Sequence, residues 1–189
     1  MLIGIYGTHC TGKTTYLESL DIPGIRKVFG DMLTPNYDNI PEFPALYDVY
    51  RTLPGKQELI RYMVCDRETL WIAEGMRFWG SIFHHIKHVP LEMGGGLFMI
   101  IITTTAEYME QALRKRAVLS HRIYAEKYWT PHKLEYESST RLIRAAAMHL
   151  DPKDWIELPF DDFGWRSQAD LIIHMFVEDI SLWYPTACT

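Results

Sequence analysis

The chain has 189 residues, 48% of them hydrophobic and 23% charged, enough for one sizeable core and too few for two full domains. Its longest apolar run, Leu97 to Ile102, falls far short of the roughly 20 residues that a bilayer demands, and no partnership with a membrane is expected. A formal net charge of -5 at pH 7 disfavours a surface built to hold long nucleic acid, which needs a basic face, but it leaves room for a small anion in a local basic pocket.

In chain order, Leu2-Ile-Gly-Ile-Tyr6 is a short apolar run closed by a glycine-rich turn, and Lys13 to Leu20 has a helix-forming composition, so the opening reads as strand, loop and helix. Ile25 to Phe29 reads as a second strand that ends at Gly30-Asp31. The stretch that follows is rich in proline (Pro35, Pro41, Pro44, Pro54) and aromatics (Tyr37, Phe43, Tyr47, Tyr50) and is expected to form an irregular cover. A helix over Lys56 to Arg67 leads to a third strand, Leu70-Trp-Ile-Ala73, which stops at Glu74-Gly75, and another helix is expected over Phe78 to His88.

Gly94-Gly-Gly96 interrupts the chain before Leu97-Phe-Met-Ile-Ile-Ile102, a continuous apolar run of the kind found in parallel strands covered on both faces, and this is expected to be the central strand. Thr105 is placed to cap a helix over Ala106 to Ser120, and a charged helical region continues over His132 to His149. Trp155-Ile-Glu-Leu158 makes a last strand before Pro159, and Gln168 to Leu182 a last amphipathic helix; Trp71 and Trp155 are assigned to the core. Strands alternating with helices predict an α/β fold with a doubly wound, mostly parallel five-stranded sheet, all in one domain over residues 1–189, with a helical lid over about 106–145. Cys10, Cys65 and Cys188 are odd in number and lack disulfide or metal-ligand spacing. Together with Met1 running directly into a strand-like segment, this favours reduced thiols in a cytoplasm, that of a host if the source is viral.

Gly7-Thr8-His9-Cys10-Thr11-Gly12-Lys13-Thr14 fills every fixed position of the G-x-x-x-x-G-K-[ST] pattern. In that pattern backbone N–H groups wrap a phosphate, the lysine reaches the β- and γ-phosphates of a nucleotide, and the hydroxyl of Thr14 ligates Mg²⁺. The glycines are required because a side chain would block close backbone approach or the necessary dihedrals. The expected cofactors are therefore ATP and Mg²⁺, with Gly7, Thr8, His9, Cys10, Thr11, Gly12, Lys13, Thr14 and Thr15 as the nucleotide-binding set.

With Ile-Gly-Ile-Tyr before it, the same run resembles the opening of thymidylate-kinase-like and other small P-loop kinases, and the order of elements agrees across nearly the whole chain. There is no Walker-B strand ending in Asp, no guanine-reading Asn-Lys-x-Asp, and no helicase or transporter signature. The resemblance implies transfer of the γ-phosphate of ATP to a nucleoside, a nucleotide or another small hydroxylated acceptor. Two other readings stay open. One is a phage-type kinase that phosphorylates a hydroxymethylated pyrimidine base within DNA, for which a base drawn out of the stack needs only a short basic contact surface. The other is a nucleotide-dependent switch that binds ATP without transfer.

In open α/β sheets the chemistry gathers at the carboxyl ends of strands, where this chain has Asp31 and Glu74. Glu74 resembles the acid that small P-loop kinases carry there to orient the hydrated metal or the acceptor, against the alternative of a plain acid at a strand exit. Asp31 stands where nucleoside kinases keep the carboxylate that accepts the proton of the attacked hydroxyl, although Asp also commonly begins a turn. Arg77, three residues after Glu74, resembles the acid-then-arginine pairs of those families but is separated by Gly75-Met76. Arg61, Arg77 and Tyr37 are the candidates for acceptor binding.

Between Ala112 and Arg144 eight Lys or Arg residues face three Glu, in the part of the chain where such kinases keep a lid. Arginines closing from a mobile segment would stabilise charge on the transferred group, and Arg114 and Arg116 are the candidates, with Arg122 behind them; the alternative is a solvated helix face. The histidines in Phe83-His-His-Ile-Lys-His88 put two imidazoles on one helical face without an evident third ligand, and are read as exposed.

Overall fold

Ile3, Ile5, Leu70, Ile72, Ile100 and Ile102 are buried, and so are their alternate neighbours Leu2, Tyr6, Trp71, Ala73, Met99 and Ile101. Strands apolar on both faces can be satisfied only by covering both faces, and the chain does this with helices on either side of a parallel sheet. The structure, a computed structural model, describes residues 1–8, 10–30, 53–66, 68–75, 79, 96–119, 137, 140–141, 144–145, 148, 151–160 and 164–183.

Among the described residues the elements run β1 (Leu2–Gly7), α1 (Lys13–Ser19), β2 (Ile25–Phe29), α2 (Leu53–Cys65), β3 (Leu70–Glu74), β4 (Leu97–Thr103), α3 (Ala106–Leu119), a short 3₁₀ turn (Pro152–Asp154), β5 (Trp155–Pro159) and α4 (Gly164–Trp183). The five strands form one sheet in the order β2-β3-β1-β4-β5, and every pairing is parallel. The expected five-stranded α/β architecture is therefore present, with two adjustments. The strand at the centre of the order is β1, and β4, the longest apolar run, lies beside it. The last helix begins at Gly164, four residues before the expected start, because Trp165 and Ala169 are buried one turn apart and continue its apolar face upstream.

One face of the sheet carries α1 and α4. Tyr16, Leu17 and Leu20 from the first and Trp165, Ala169 and Ile173 from the second join Ile3, Ile5, Ile72, Ile100, Ile102 and Leu158 in a single apolar cluster. On the other face lies α2. Its buried residues Leu59, Ile60, Met63 and Val64 make one stripe, while Arg61, Tyr62 and Cys65 are exposed. Trp71 is 3% exposed, as expected of a core residue; Trp155, near the sheet edge, is half-buried. Lys27 on β2 donates from Nζ to the carbonyls of Glu18 and Leu20, placing a cation on the last carbonyls of α1, where free acceptors and the helix dipole favour it. The expected helices over Phe78–His88 and His132–His149, with their histidines, lie largely outside the described residues, although Glu137, Thr140, Arg141, Arg144 and Ala145 are helical.

Gly4 lets the second face close on β1. A Cβ at this position would lie 2.3 Å from Met99 Sδ and 2.7 Å from a ring carbon of Trp79, and Trp79 is fully buried with its indole N–H donating to the Ala73 carbonyl at 3.0 Å. Gly4→Ala is therefore expected to cost about 1–3 kcal/mol of unfolding free energy by overpacking. Met99→Ala opens the space that the new methyl needs. The double variant should lose less, by urea denaturation, than the two single losses together; strict additivity would show that Met99 does not crowd this position.

Candidate functional site

Because all five strands are parallel, Gly7, Phe29, Glu74, Thr103 and Pro159 end at one edge of the sheet. The loop that leaves β1 opens there, with β3 on one side and β4 on the other. Gly12 closes it in the left-handed region, with φ 75° and ψ 19°, a conformation that costs a residue with a Cβ about 1 kcal/mol or more. Cys10 is also left-handed, at φ 64°. The Tyr16 N–H then bonds the Gly12 carbonyl at 2.9 Å, starting α1.

Inside the loop Thr8, Thr11 and Lys13 are 1%, 1% and 6% exposed. Lys13 Nζ donates to the Thr8 carbonyl at 2.8 Å and to Thr11 Oγ1 at 3.3 Å, while Thr11 Oγ1 donates to the same carbonyl at 2.9 Å. A buried ammonium is tolerated only with acceptors in reach; the loop's own oxygens supply them, and they hold the cation inside the concavity rather than in solvent.

Thr14, the first residue after Lys13, donates from Oγ1 to Glu74 Oε1 at 3.2 Å. Glu74 is the last residue of β3, 1% exposed, in register with Ile5 of β1 and with Phe29 of β2. A hydroxyl and a carboxylate in this contact form a hard oxygen pair that suits Mg²⁺, an ion commonly held by one or two protein oxygens with the remainder from phosphates and water. No group of three or more His, Cys, Asp or Glu residues among the described residues is placed to hold a metal.

The other expected site residues are placed as follows. Thr15 is exposed at the start of α1, and Arg61 stands on the exposed side of α2. Arg114, on α3, forks onto Glu110 one turn earlier, with Nε at 3.0 Å and Nη2 at 2.6 Å from Oε1. From the same basic stretch, Arg144 bonds Glu157 on β5 at 2.5 Å. Both pairs are substantially exposed, and such pairs contribute little to stability, so neither holds its arginine strongly. Arg116 belongs to α3, but its side chain lies outside the described residues, as do His9, Asp31, Tyr37, Arg77 and Arg122.

A group from the far end of the chain also reaches the loop. The Tyr16 hydroxyl on α1 donates to Asp170 Oδ1 on α4 at 2.7 Å, and its ring meets Trp165 edge-to-face with centroids 4.9 Å apart. The next residue, Arg166, lies with its guanidinium over the Trp165 ring at 5.7 Å and with Nη2 only 2.6 Å from where a Cβ on Gly12 would stand. Gly12 is thus required by its left-handed backbone, and the Arg166 guanidinium, the far end of an exposed side chain, lies beside it. Sequence reading did not single out Arg166, Trp165, Tyr16 or Asp170, which are about 150 positions from the loop or buried beneath it; the only local signal was a Trp-Arg pair just upstream of the expected amphipathic helix.

No protein-family model matches the chain, and no curated protein matches it. Among solved structures, the tunicamycin resistance protein of Deinococcus radiodurans is similar over 93% of this chain and 94% of that one, with 11% identity and a TM-score of 0.43. So distant a likeness bears on no residue and no activity.

The α1–α4 tie has a pH signature. Burial, and after it donation to Asp170, push the Tyr16 phenol well above its ordinary value near 10. A raised folded-state value means that the tie stabilises fully below the ordinary phenol value and is lost as pH climbs above it. Tyr16→Phe should cost about 0.5–1.5 kcal/mol at about pH 7, and the gap between the variant and the parent protein should narrow at about pH 11 in urea denaturation. A gap that is equal at both pH values would remove the hydrogen bond from this role.

Proposed function

We propose that the chain is an ATP-dependent phosphotransferase that moves the γ-phosphate of ATP to a small hydroxylated acceptor of the nucleoside or nucleotide class. The observation that carries this reading is the 3.2 Å contact between Thr14 Oγ1 and Glu74 Oε1, which sets the metal-ligating hydroxyl of the phosphate loop against a buried carboxylate at the end of the adjacent strand. A loop that only wrapped a phosphate would have no use for a carboxylate at that point, whereas a loop presenting a metal-bound triphosphate for transfer would.

In this reading the backbone of Thr8 to Lys13 cradles the phosphates, and Lys13 exchanges its bonds to Thr8 and Thr11 for phosphate oxygens. Thr14 and Glu74 would hold Mg²⁺, directly or through its water, and the ion would neutralise charge on the phosphate oxygens. An acceptor hydroxyl forms the new P–O bond as the bond from the γ-phosphorus to the β,γ-bridging oxygen breaks and ADP departs. The acceptor proton passes to a carboxylate near the strand ends, a role given to Asp31, which follows in sequence two residues after Phe29, the residue of β2 in register with Glu74. Arg114 and Arg116 on α3 are the lid cations of the proposal, and Tyr37, Arg61 and Arg77 its acceptor contacts.

A transfer screen with ATP labelled at the γ-phosphate, run over nucleosides, nucleoside monophosphates, and normal and hydroxymethylated DNA, tests the reading directly. Label on a nucleoside or nucleotide is the expected outcome, label on modified DNA alone would assign a base-phosphorylating enzyme, and ATP binding with no transfer to any member of the panel would reduce the chain to a switch. Lys13→Ala should abolish the ATP-dependent rise in Tm that a ligand of the folded state produces. Glu74→Gln should keep the fold and lower turnover about 10- to 100-fold with a raised Mg²⁺ requirement, the scale seen when an outer-shell metal partner is removed.

The lid cations give a separate expectation. Arg114→Ala and Arg116→Ala should each lower turnover by about tenfold or more while ATP affinity changes little, because their charge would act on the transferred group. Glu110→Gln should leave turnover intact or raise it, since it releases Arg114 from its present partner. Unchanged turnover in both arginine variants would return α3 to a solvated helix.

A further inference from the structure

Apart from Lys13, Arg166 is the cation whose position against the loop is defined among the described residues, and nothing in the sequence motif accounts for it. We infer that Arg166 is a second nucleotide-phosphate ligand, delivered to the phosphate loop from the first turn of α4. The inference deepens the proposed ATP-binding role of the loop and rests on it.

Three observations place the group there. Its Nη2 would lie 2.6 Å from a Cβ on Gly12, so the guanidinium occupies the space left by the glycine immediately before Lys13. Its guanidinium carbon lies 5.7 Å from the ring centroid of Trp165, itself 2% exposed, a cation–π contact that leaves the guanidinium N–H groups available for oxygen acceptors. The platform is fixed in turn to α1 by the Tyr16–Trp165 ring contact and the Tyr16–Asp170 hydrogen bond, so Arg166 and the loop are carried by elements that cannot easily drift apart.

Charge supports the same assignment. One ammonium and one divalent ion leave a triphosphate with net negative charge, and a further arginine beside the loop would offset it with paired, directional bonds. Arg114 forks onto Glu110, whereas Arg166 has no carboxylate partner among the described residues and is exposed, at the mouth of the loop. An exposed arginine with one cation–π contact adds little to the stability of a fold, so its position beside Gly12 calls for a role in binding.

The test is isothermal titration of the parent chain, Lys13→Ala, Arg166→Ala and Arg166→Lys with Mg-ATP, Mg-ADP and adenosine at two salt concentrations. Arg166→Ala is expected to weaken ATP and ADP binding about 10- to 100-fold, the range for a lost charge-assisted bond, with adenosine affinity unchanged and the salt dependence of ATP binding flattened. Arg166→Lys should recover part of the loss, because the charge remains and the fork does not. Tm without nucleotide should be the same in the parent and both Arg166 variants, which separates binding from folding. If the parent binds ATP and Arg166→Ala binds it equally well, Arg166 is only a surface contact of Trp165 and the inference is overturned while the kinase reading stands. An equal loss for adenosine and ATP would overturn it in favour of contact with the base. A parent chain that binds no nucleotide would remove the kinase reading and this inference together.

Discussion

Everything at the site depends on the hydrogen-bonded register between β1 and β3. Ile5 pairs with Glu74 across that ladder, so the carboxylate ends its strand two residues short of the turn into the phosphate loop. Thr14, in the first turn of α1, then brings its hydroxyl to Glu74 Oε1. A slip of one residue would send every side chain of β3 to the opposite face, take Glu74 away from Thr14 and set Trp71 and Ile72 each into packing shaped for the other, since β3 is buried on both faces. The register that buries the core is thus the register that builds the site, and selection for one holds the other.

Burying charge at such a point costs free energy that the rest of the fold must supply. Glu74 and Lys13 are 1% and 6% exposed, and a buried charge is tolerated only with hydrogen-bonding partners in reach. For Lys13 the chain meets this locally, with the Thr8 carbonyl accepting from it and from Thr11; Glu74 accepts from Thr14 at Oε1, and the apolar side chains on both faces of the sheet supply the stability that offsets the cost. Such polar groups held in a dry surround are strong electrostatic elements, since they need little rearrangement when charge develops nearby.

How much of this was legible in sequence differs between the parts, for physical reasons. The turn from β1 into α1 was readable because its geometry is local: Gly12 takes the left-handed backbone that the glycine spacing called for, and α1 starts at Lys13. Parallel strands covered on both faces announce themselves as continuous apolar runs, so β1, β3 and β4 were placed to within a residue of Leu2–Gly7, Leu70–Glu74 and Leu97–Thr103. Strand order was not readable, since pairing is decided between segments far apart in sequence, and β1 rather than β4 proved to hold the centre of the order. The absence of a strand ending in Asp was read from sequence as the lack of a Walker-B element; in the fold, the strand beside β1 ends in Glu74, whose Oε1 accepts from Thr14 Oγ1.

The contribution of α4 shows why the remainder stayed hidden. Its apolar stripe predicted a core helix, and Trp165, Ala169 and Ile173 are core, but no periodicity states which other helix that stripe will adjoin. α4 follows the last strand, so no strand crossover assigns its face; its stripe packs in the cluster that α1 also enters. Once the two lie side by side, Tyr16 needs a partner for a half-buried hydroxyl and finds Asp170, its ring packs on Trp165, and the residue after Trp165 is carried to the rim of the phosphate loop. Burial of two aromatics and satisfaction of one hydroxyl are thus sufficient to bring the end of the chain to its beginning. The same contacts that stabilise the α1–α4 face deliver Arg166 to Gly12, so packing on this face and the composition of the site are set by one set of residues.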